Sequence, residues 1–257
     1  MTGAAGDGWP EPEWGDGRNP AVHSVSGVFP CYNDAGTIGA MVHRLHGALV
    51  RCGVPFEIIV VDDGSTDGAG EVLSRLQETV PELRVIHHGR NRGYGAALRS
   101  GFRAASFEWV FYTDGDGQYD AAEALTLVAL AAEDVDWVQG WKTGRGDGWS
   151  RKVIGTAYHR LVRLLFGDGI TDTDCDFRLI RRSVLDRMEL GSTSGAICAE
   201  MVYKGRLAGA RVLETPVHHY PRPVGRSQFF RLRHIARMIS EVLVLWWRLA
   251  GLRRPGA

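Results

Sequence analysis

The feature that most constrains this chain is an alternation of two kinds of apolar spacing. Short β-branched runs take turns with stretches whose apolar residues recur at helical period. Ser24 to Phe29, Phe56 to Val61, Leu83 to His87, Trp109 to Thr113 and Trp137 to Gly140 read as strands. Between them, Ile38, Met41, Val42, Leu45 and Leu49 share one helical face. Val72, Leu73 and Leu76 share another, and Leu125, Val128 and Leu130 do so approximately. Such an order predicts an α/β fold: a Rossmann-like, mostly parallel central sheet with helices on both faces. The 257 residues suffice for one large domain of this kind.

Ligands of open α/β sheets bind at the carboxyl ends of the strands, and polar clusters sit at those points here. Cys31-Tyr32-Asn33-Asp34 follows the first strand, Asp62-Asp63-Gly64-Ser65-Thr66-Asp67 the second, and Asp114-Gly115-Asp116-Gly117-Gln118 the fourth. Asp, Gly and Ser are also turn formers, and Thr66 or Asp67 can cap the following helix. Turn chemistry nevertheless needs one acid, not repeated carboxylates that repel one another.

Asp114 and Asp116 stand one residue apart, so in extended geometry both carboxylates project to the same side. With Gln118 nearby, the oxygen donors suit Mg²⁺ or Mn²⁺, ions that share their shells with water and substrate phosphates. An EF-hand frame fails, because it would place Tyr119 where Gly is required and Leu125 where Glu is required. There is no G-x-x-x-x-G-K-[ST] loop, and Gly89-Arg90-Asn91-Arg92-Gly93-Tyr94-Gly95 does not fit G-x-G-x-x-G. Arg90 and Arg92 put cations at the start of a predicted helix, which suits an anion or makes a solvated basic turn. The four cysteines are scattered without zinc spacing or a C-x-x-C pair, and reduced thiols are expected.

Taken in order, VFPCYNDAGTI, VVDDGSTDG, GRNRGYGAALRSG, TDGDGQYD, DTDCDFRLIRR and PVHHYPRPVGRSQFF resemble glycosyltransferase family 2 with a GT-A fold. More narrowly, they resemble the branch of dolichol-phosphate mannose synthase and bacterial polyprenyl-phosphate glycosyltransferases. The resemblance spans about Ser24 to Phe230. It implies donor contacts from Pro30, Tyr32, Asp34, Asp63, Asp114 and Arg92, with Asp34 where Glu is usual. It implies a metal set of Asp114, Asp116 and Gln118, and catalytic roles for Asp116 together with Arg222 and Ser227 of a closing loop. Lys142, Arg151 and Thr156 lie where further acceptor-phosphate contacts are placed. Asp176 departs from the usual Gly, which bears on the shape of the acceptor pocket. Glu200 stands where related enzymes place a base, or is a helix acid; an acceptor phosphate is largely ionised at neutral pH and needs positioning more than deprotonation.

The implied activity is inverting, metal-dependent transfer of a hexose from a GDP-mannose or UDP-glucose type donor to a polyprenyl phosphate. The alternatives are the same chemistry on a soluble acceptor, or a nucleotide-binding protein without catalysis. From about Gly144 onward, a charged loop, a basic helix over Lys152 to Phe166, a strand to Ile180 and a helix over Ile197 to Ala208 would extend the sheet and form the acceptor side.

Net charge is zero overall, but from Arg222 to Arg254 there are eight arginines and a single acid, Glu241. Leu232, Ile235, Ile239, Val242, Trp246 and Leu249 form a helical stripe within this basic segment. Its longest apolar run, Val242 to Trp247, is too short to span a bilayer. A basic amphipathic helix with Trp246-Trp247 suits a membrane surface; packing on the protein's own core or on a dimer partner is the other reading. The basic residues lie on an apolar helix and not along a broad groove, which argues against nucleic acid. The expected divisions are a Gly- and Pro-rich arm over 1–22, a glycosyltransferase domain over 23–228 and the basic helix over 229–257. No basic segment followed by an apolar run opens the chain, so a cytoplasmic location, peripheral at the inner membrane face, is expected.

Overall fold

The computed structural model describes residues 18–143, 160–167, 170–224 and 232–252, the side chains of 232–234 and 250–252 excepted. Seven strands form one sheet: β1 (Val25–Cys31), β2 (Phe56–Asp62), β3 (Leu83–His87), β4 (Trp109–Thr113), β5 (Trp137–Thr143), β6 (Phe177–Arg181) and β7 (Val212–His218). Their order is β3-β2-β1-β4-β6-β5-β7. β6 runs antiparallel to both β4 and β5, and every other pairing is parallel. The helices are α1 (Ile38–Cys52), α2 (Ala69–Thr79), α3 (Tyr94–Ala104), α4 (Ala124–Leu130) after a 3₁₀ turn at Ala121–Glu123, α5 (160–166), α6 (Arg182–Arg187), α7 (Ala196–Leu207) and α8 (Leu232–Leu252).

The central strands β1 and β4 are buried along their whole length, as continuous apolar runs between two helical layers must be. On one face Phe29, Leu45, Ile58, Phe111 and Phe177 join α1, α2 and α4. On the other, Val28, Ile59, Leu98, Tyr112, Ile180 and Ile197 join α3 and α7. β7 lies at a sheet edge, which is why Pro216 is tolerated within it.

Two elements depart from the sequence-based expectation. The arm assigned to 1–22 ends in packed structure: Val22 is buried, and the Asn19 side chain donates to the carbonyls of Val128 and Ala131 at the end of α4. The stripe of α8 is also rotated from the one expected. Met238, Val242, Leu245 and Leu249 pack against Ala196, Ala199 and Tyr203 of α7 and Val162 and Phe166 of α5. The inward face is therefore docked on the protein itself, while Leu243, Val244, Trp246 and Trp247 face outward. Among the described residues, no helix is long and apolar enough to cross a membrane.

Candidate active site

The strand order reverses between β1 and β4, which opens a crevice at their carboxyl ends. Asp34 enters it from the turn after β1, and Asp114 and Asp116 from the turn after β4. The turns are stitched together: Thr37 Oγ1 donates to the Gly115 carbonyl at 2.7 Å, and Asn33 N donates to Ser65 Oγ at 3.0 Å. Part of the second cluster is turn chemistry after all. Asp62 accepts from Ser65 N, and Asp67 accepts from Ala69 N and Ala35 N.

The acids of the crevice are short of positive charge. Burial pushes the Asp114 carboxyl well up, and Asp176 and Asp116 push it further, while the Tyr94 hydroxyl opposes them by donating at 2.7 Å. Asp116 is also raised by burial, with Arg222 opposing. Burial lifts Asp34 to about 6 against the pull of Arg222, with Asp116 adding to the rise. Arg222 itself reaches in from the segment after β7. Its guanidinium donates to Asp34 Oδ1 at 2.5 Å and to Asp116 Oδ2 at 3.2 Å. Two exchanges between Gln118 and Tyr220 hold that segment on the acidic turn: Tyr220 N donates to the Gln118 carbonyl at 2.8 Å, and Gln118 Nε2 to the Tyr220 carbonyl at 3.2 Å. Gly117, at φ +76°, lets Pro223 pass against its α-carbon.

These oxygen donors suit a hard divalent cation, because Asp114 and Asp116 crowd one another at a buried strand end and, of the two, the Arg222 guanidinium contacts Asp116. Among the described residues no group of three or more His, Cys, Asp or Glu side chains converges on one metal position. A cation there would take the rest of its shell from water and a ligand phosphate.

Other expected site residues sit differently. Asp63 is buried and accepts from His88 Nδ1 at 2.5 Å, from Arg92 N at 3.0 Å and from Gly93 N at 2.8 Å, so it organises the turn before α3. Arg92 is tied by its backbone, and its side chain is exposed. Pro30 closes β1 beside Val61, and Tyr32 N donates to Asp34 Oδ2. Lys142 is held by the Asp174 carbonyl at 2.5 Å and by Asp172 at 4.0 Å. Arg151, Thr156 and Ser227 lie outside the described residues. Glu200 is buried in α7, where it accepts from Gly191 N and Ser192 N and pairs with Lys204 at 2.8 Å. Arg178, which the sequence did not single out, is fully buried. It donates to the Cys175 and Thr173 carbonyls, lies against the rings of Tyr112 and Trp137, and so fixes the loop that carries Asp176. All four cysteines are unpaired and buried.

A mostly parallel sheet flanked by helices, with acids at its switch point, is the GT-A type of glycosyltransferase fold. The chain belongs to glycosyl transferase family 2, whose family model matches residues 26–188. It is 32% identical over 230 residues to an undecaprenyl-phosphate 4-deoxy-4-formamido-L-arabinose transferase of Enterobacter sp. (strain 638), covering 88% of this chain and 68% of that one. Among solved structures, it superposes on glucosyl-3-phosphoglycerate synthase from Mycobacterium tuberculosis, crystallised with Mn²⁺, UDP and glucosyl-3-phosphoglycerate. That match has a TM-score of 0.70 at 18% identity and covers 97% of this chain and 88% of that one. A mannosyltransferase from Pyrobaculum calidifontis, bound to GDP-Man and Mn²⁺, matches with a TM-score of 0.58 at 21% identity, covering 91% of this chain and 65% of that one.

Proposed function

We propose that this glycosyltransferase moves a hexose from a nucleoside-diphosphate sugar to a polyprenyl phosphate by a single inverting displacement. The observation that carries the reading is the Arg222 strap, which sets a guanidinium over Asp34 and Asp116 where an anionic leaving group meets the acidic edge. Kinship with an undecaprenyl-phosphate sugar transferase over 88% of the chain supports the lipid acceptor.

Asp114 and Asp116 would hold a Mg²⁺ or Mn²⁺ ion, which when bound neutralises charge on the diphosphate. Solved relatives carrying Mn²⁺ support this assignment. Arg222 trades part of its grip on the acids for the diphosphate oxygens, a bidentate role that guanidinium geometry fits. On the family resemblance, Ser227 is assigned to the donor phosphates, and Lys142, Arg151 and Thr156 to the acceptor phosphate. The acceptor oxygen is ionised before it attacks, so the chain's task is alignment and exclusion of water. The outward face of α8, with Trp247 74% exposed beside Trp246, Leu243 and Val244, rests on the cytoplasmic membrane surface.

A soluble acceptor is the second reading. Asp176 favours it, because a third carboxylate adds negative charge beside Asp114 and Asp116, pushes their pKa values up, and disfavours a phosphate dianion there. Incubation with undecaprenyl phosphate and a panel of UDP- and GDP-sugars separates the two. A chloroform-soluble sugar product is expected, and transfer confined to water-soluble acceptors would overturn the lipid assignment.

A further inference from the structure

Glu241 is the single acid between Arg222 and Arg254, and neither the sheet nor the crevice uses it. Its carboxylate accepts from Thr193 N at 3.1 Å, Thr193 Oγ1 at 2.9 Å, Ser194 N at 3.1 Å and Ser194 Oγ at 2.8 Å. Arg237, one helical turn earlier, donates to both Glu241 and Thr193 Oγ1. Burial works against this charge, but the donors from Ser194 and Thr193 prevail and keep the carboxyl below its ordinary range. On its other side the same loop is anchored by Glu200, which takes Gly191 N and Ser192 N. Two carboxylates from two helices thus hold four consecutive residues, 191–194.

The loop has nowhere to move without shifting the donor turn. Gly95 N donates to the Thr193 carbonyl at 3.1 Å. A Cβ on Gly93 would lie 2.3 Å from the Thr193 oxygen, and one on Gly95 would lie 2.5 Å from the Ser192 oxygen. Gly93, at φ +103°, sends its N–H to Asp63, and Tyr94 sends its hydroxyl to Asp114. Glu241 is therefore linked through one loop to the turn that serves both Asp63 and Asp114.

We infer that Glu241 is a positioning residue: it locks α8 to loop 191–194, and the loop in turn sets the Arg92–Gly95 backbone that shapes the donor site. α8 then does more than cover α7, since its seating controls how tightly the nucleotide is held. The functional half of this inference rests on the donor reading given above.

The test uses the full chain with Glu241→Gln and, as a milder change that keeps the carboxylate, Thr193→Val. Hydrogen exchange of the nucleotide-free protein should quicken across Arg92 to Gly95 in both variants, while the α1 amides keep their rate. Binding of UDP or GDP with Mn²⁺, measured by calorimetry, should weaken by about 2- to 30-fold. Unchanged exchange across Arg92 to Gly95 in both variants overturns the relay. Faster exchange with an unaltered nucleotide Kd overturns the positioning role, leaving Glu241 a structural clamp. A parent protein that binds neither nucleotide refutes the donor reading instead, and the exchange comparison still decides the relay.

Discussion

Replacing Arg222 with Met removes the guanidinium that bridges Asp34 and Asp116 but keeps a side chain of comparable length. The two contacts are 2.5 and 3.2 Å, and the side chains are 17%, 10% and 14% exposed. At an effective dielectric of about 20, each pair attracts with roughly 5 to 7 kcal/mol before costs. Desolvation and side-chain entropy return most of that. The net loss falls between the values for exposed and buried pairs, about 2 kcal/mol, or roughly 4 to 8 °C in Tm for a chain of this size.

The sign of the pH dependence follows from Asp34. Burial holds its folded pKa at about 6, above the ordinary 3.8 of an aspartate, so its contribution is most favourable at low pH and is lost as pH rises through 6. Without Arg222 that pKa climbs further, and the deficit relative to the parent is full at pH 8 and shrinks toward pH 5. Removal of a preorganised donor aimed at the leaving diphosphate should also lower kcat/KM by about 10²- to 10³-fold. Differential scanning calorimetry from pH 5 to 8, with initial rates at pH 7.5, measures both quantities. A pH-independent loss of Tm would show that Arg222 does not set the Asp34 ionisation, and an unchanged kcat/KM that it does not act on the diphosphate.

Two further outcomes follow from the same geometry. Burial raises the pKa of both Asp114 and Asp116, so Mn²⁺ affinity should rise with pH and binding should release protons. Calorimetry in two buffers of different ionisation enthalpy detects the release, and equal heats in both would speak against it. Changing Trp246 and Trp247 together to Ala should reduce co-sedimentation with anionic vesicles several-fold and leave Tm within about 2 °C, since both side chains lie outside the α8 seam. Undiminished sedimentation would remove that face from the membrane account.

Where the sequence carried a strong local signal, structure followed it closely. β3 and β4 have the expected limits, because each is a short apolar run closed by polar residues. The acids at the switch point were legible for the same reason: strand ends are marked locally, and topology brings them together. β7 was not read as a strand, since Glu214 and Pro216 interrupt its pattern and its pairing with β5 is a long-range fact. The seam of α8 differs from the expected stripe because apolar residues occur on both of its faces, and spacing alone does not choose between Met238 and Trp246 as inward. The partners of Asp63, Arg178 and Glu241 were invisible for a further reason. Asp63 and Glu241 bind backbone amides of distant loops and Arg178 binds carbonyls of the loop just before it, and a backbone group leaves no mark in the sequence.

Metal-dependent transfer depends on the acidic edge after β4. Transfer of labelled sugar from a UDP- or GDP-sugar to undecaprenyl phosphate, followed across a Mn²⁺ titration in the parent and in Asp116→Ala, tests it most directly. Saturable, Mn²⁺-dependent formation of lipid-linked sugar in the parent and its loss in Asp116→Ala is the expected result. Full turnover by Asp116→Ala, or parent activity indifferent to chelation of divalent ions, would show that Asp116 holds no catalytic metal.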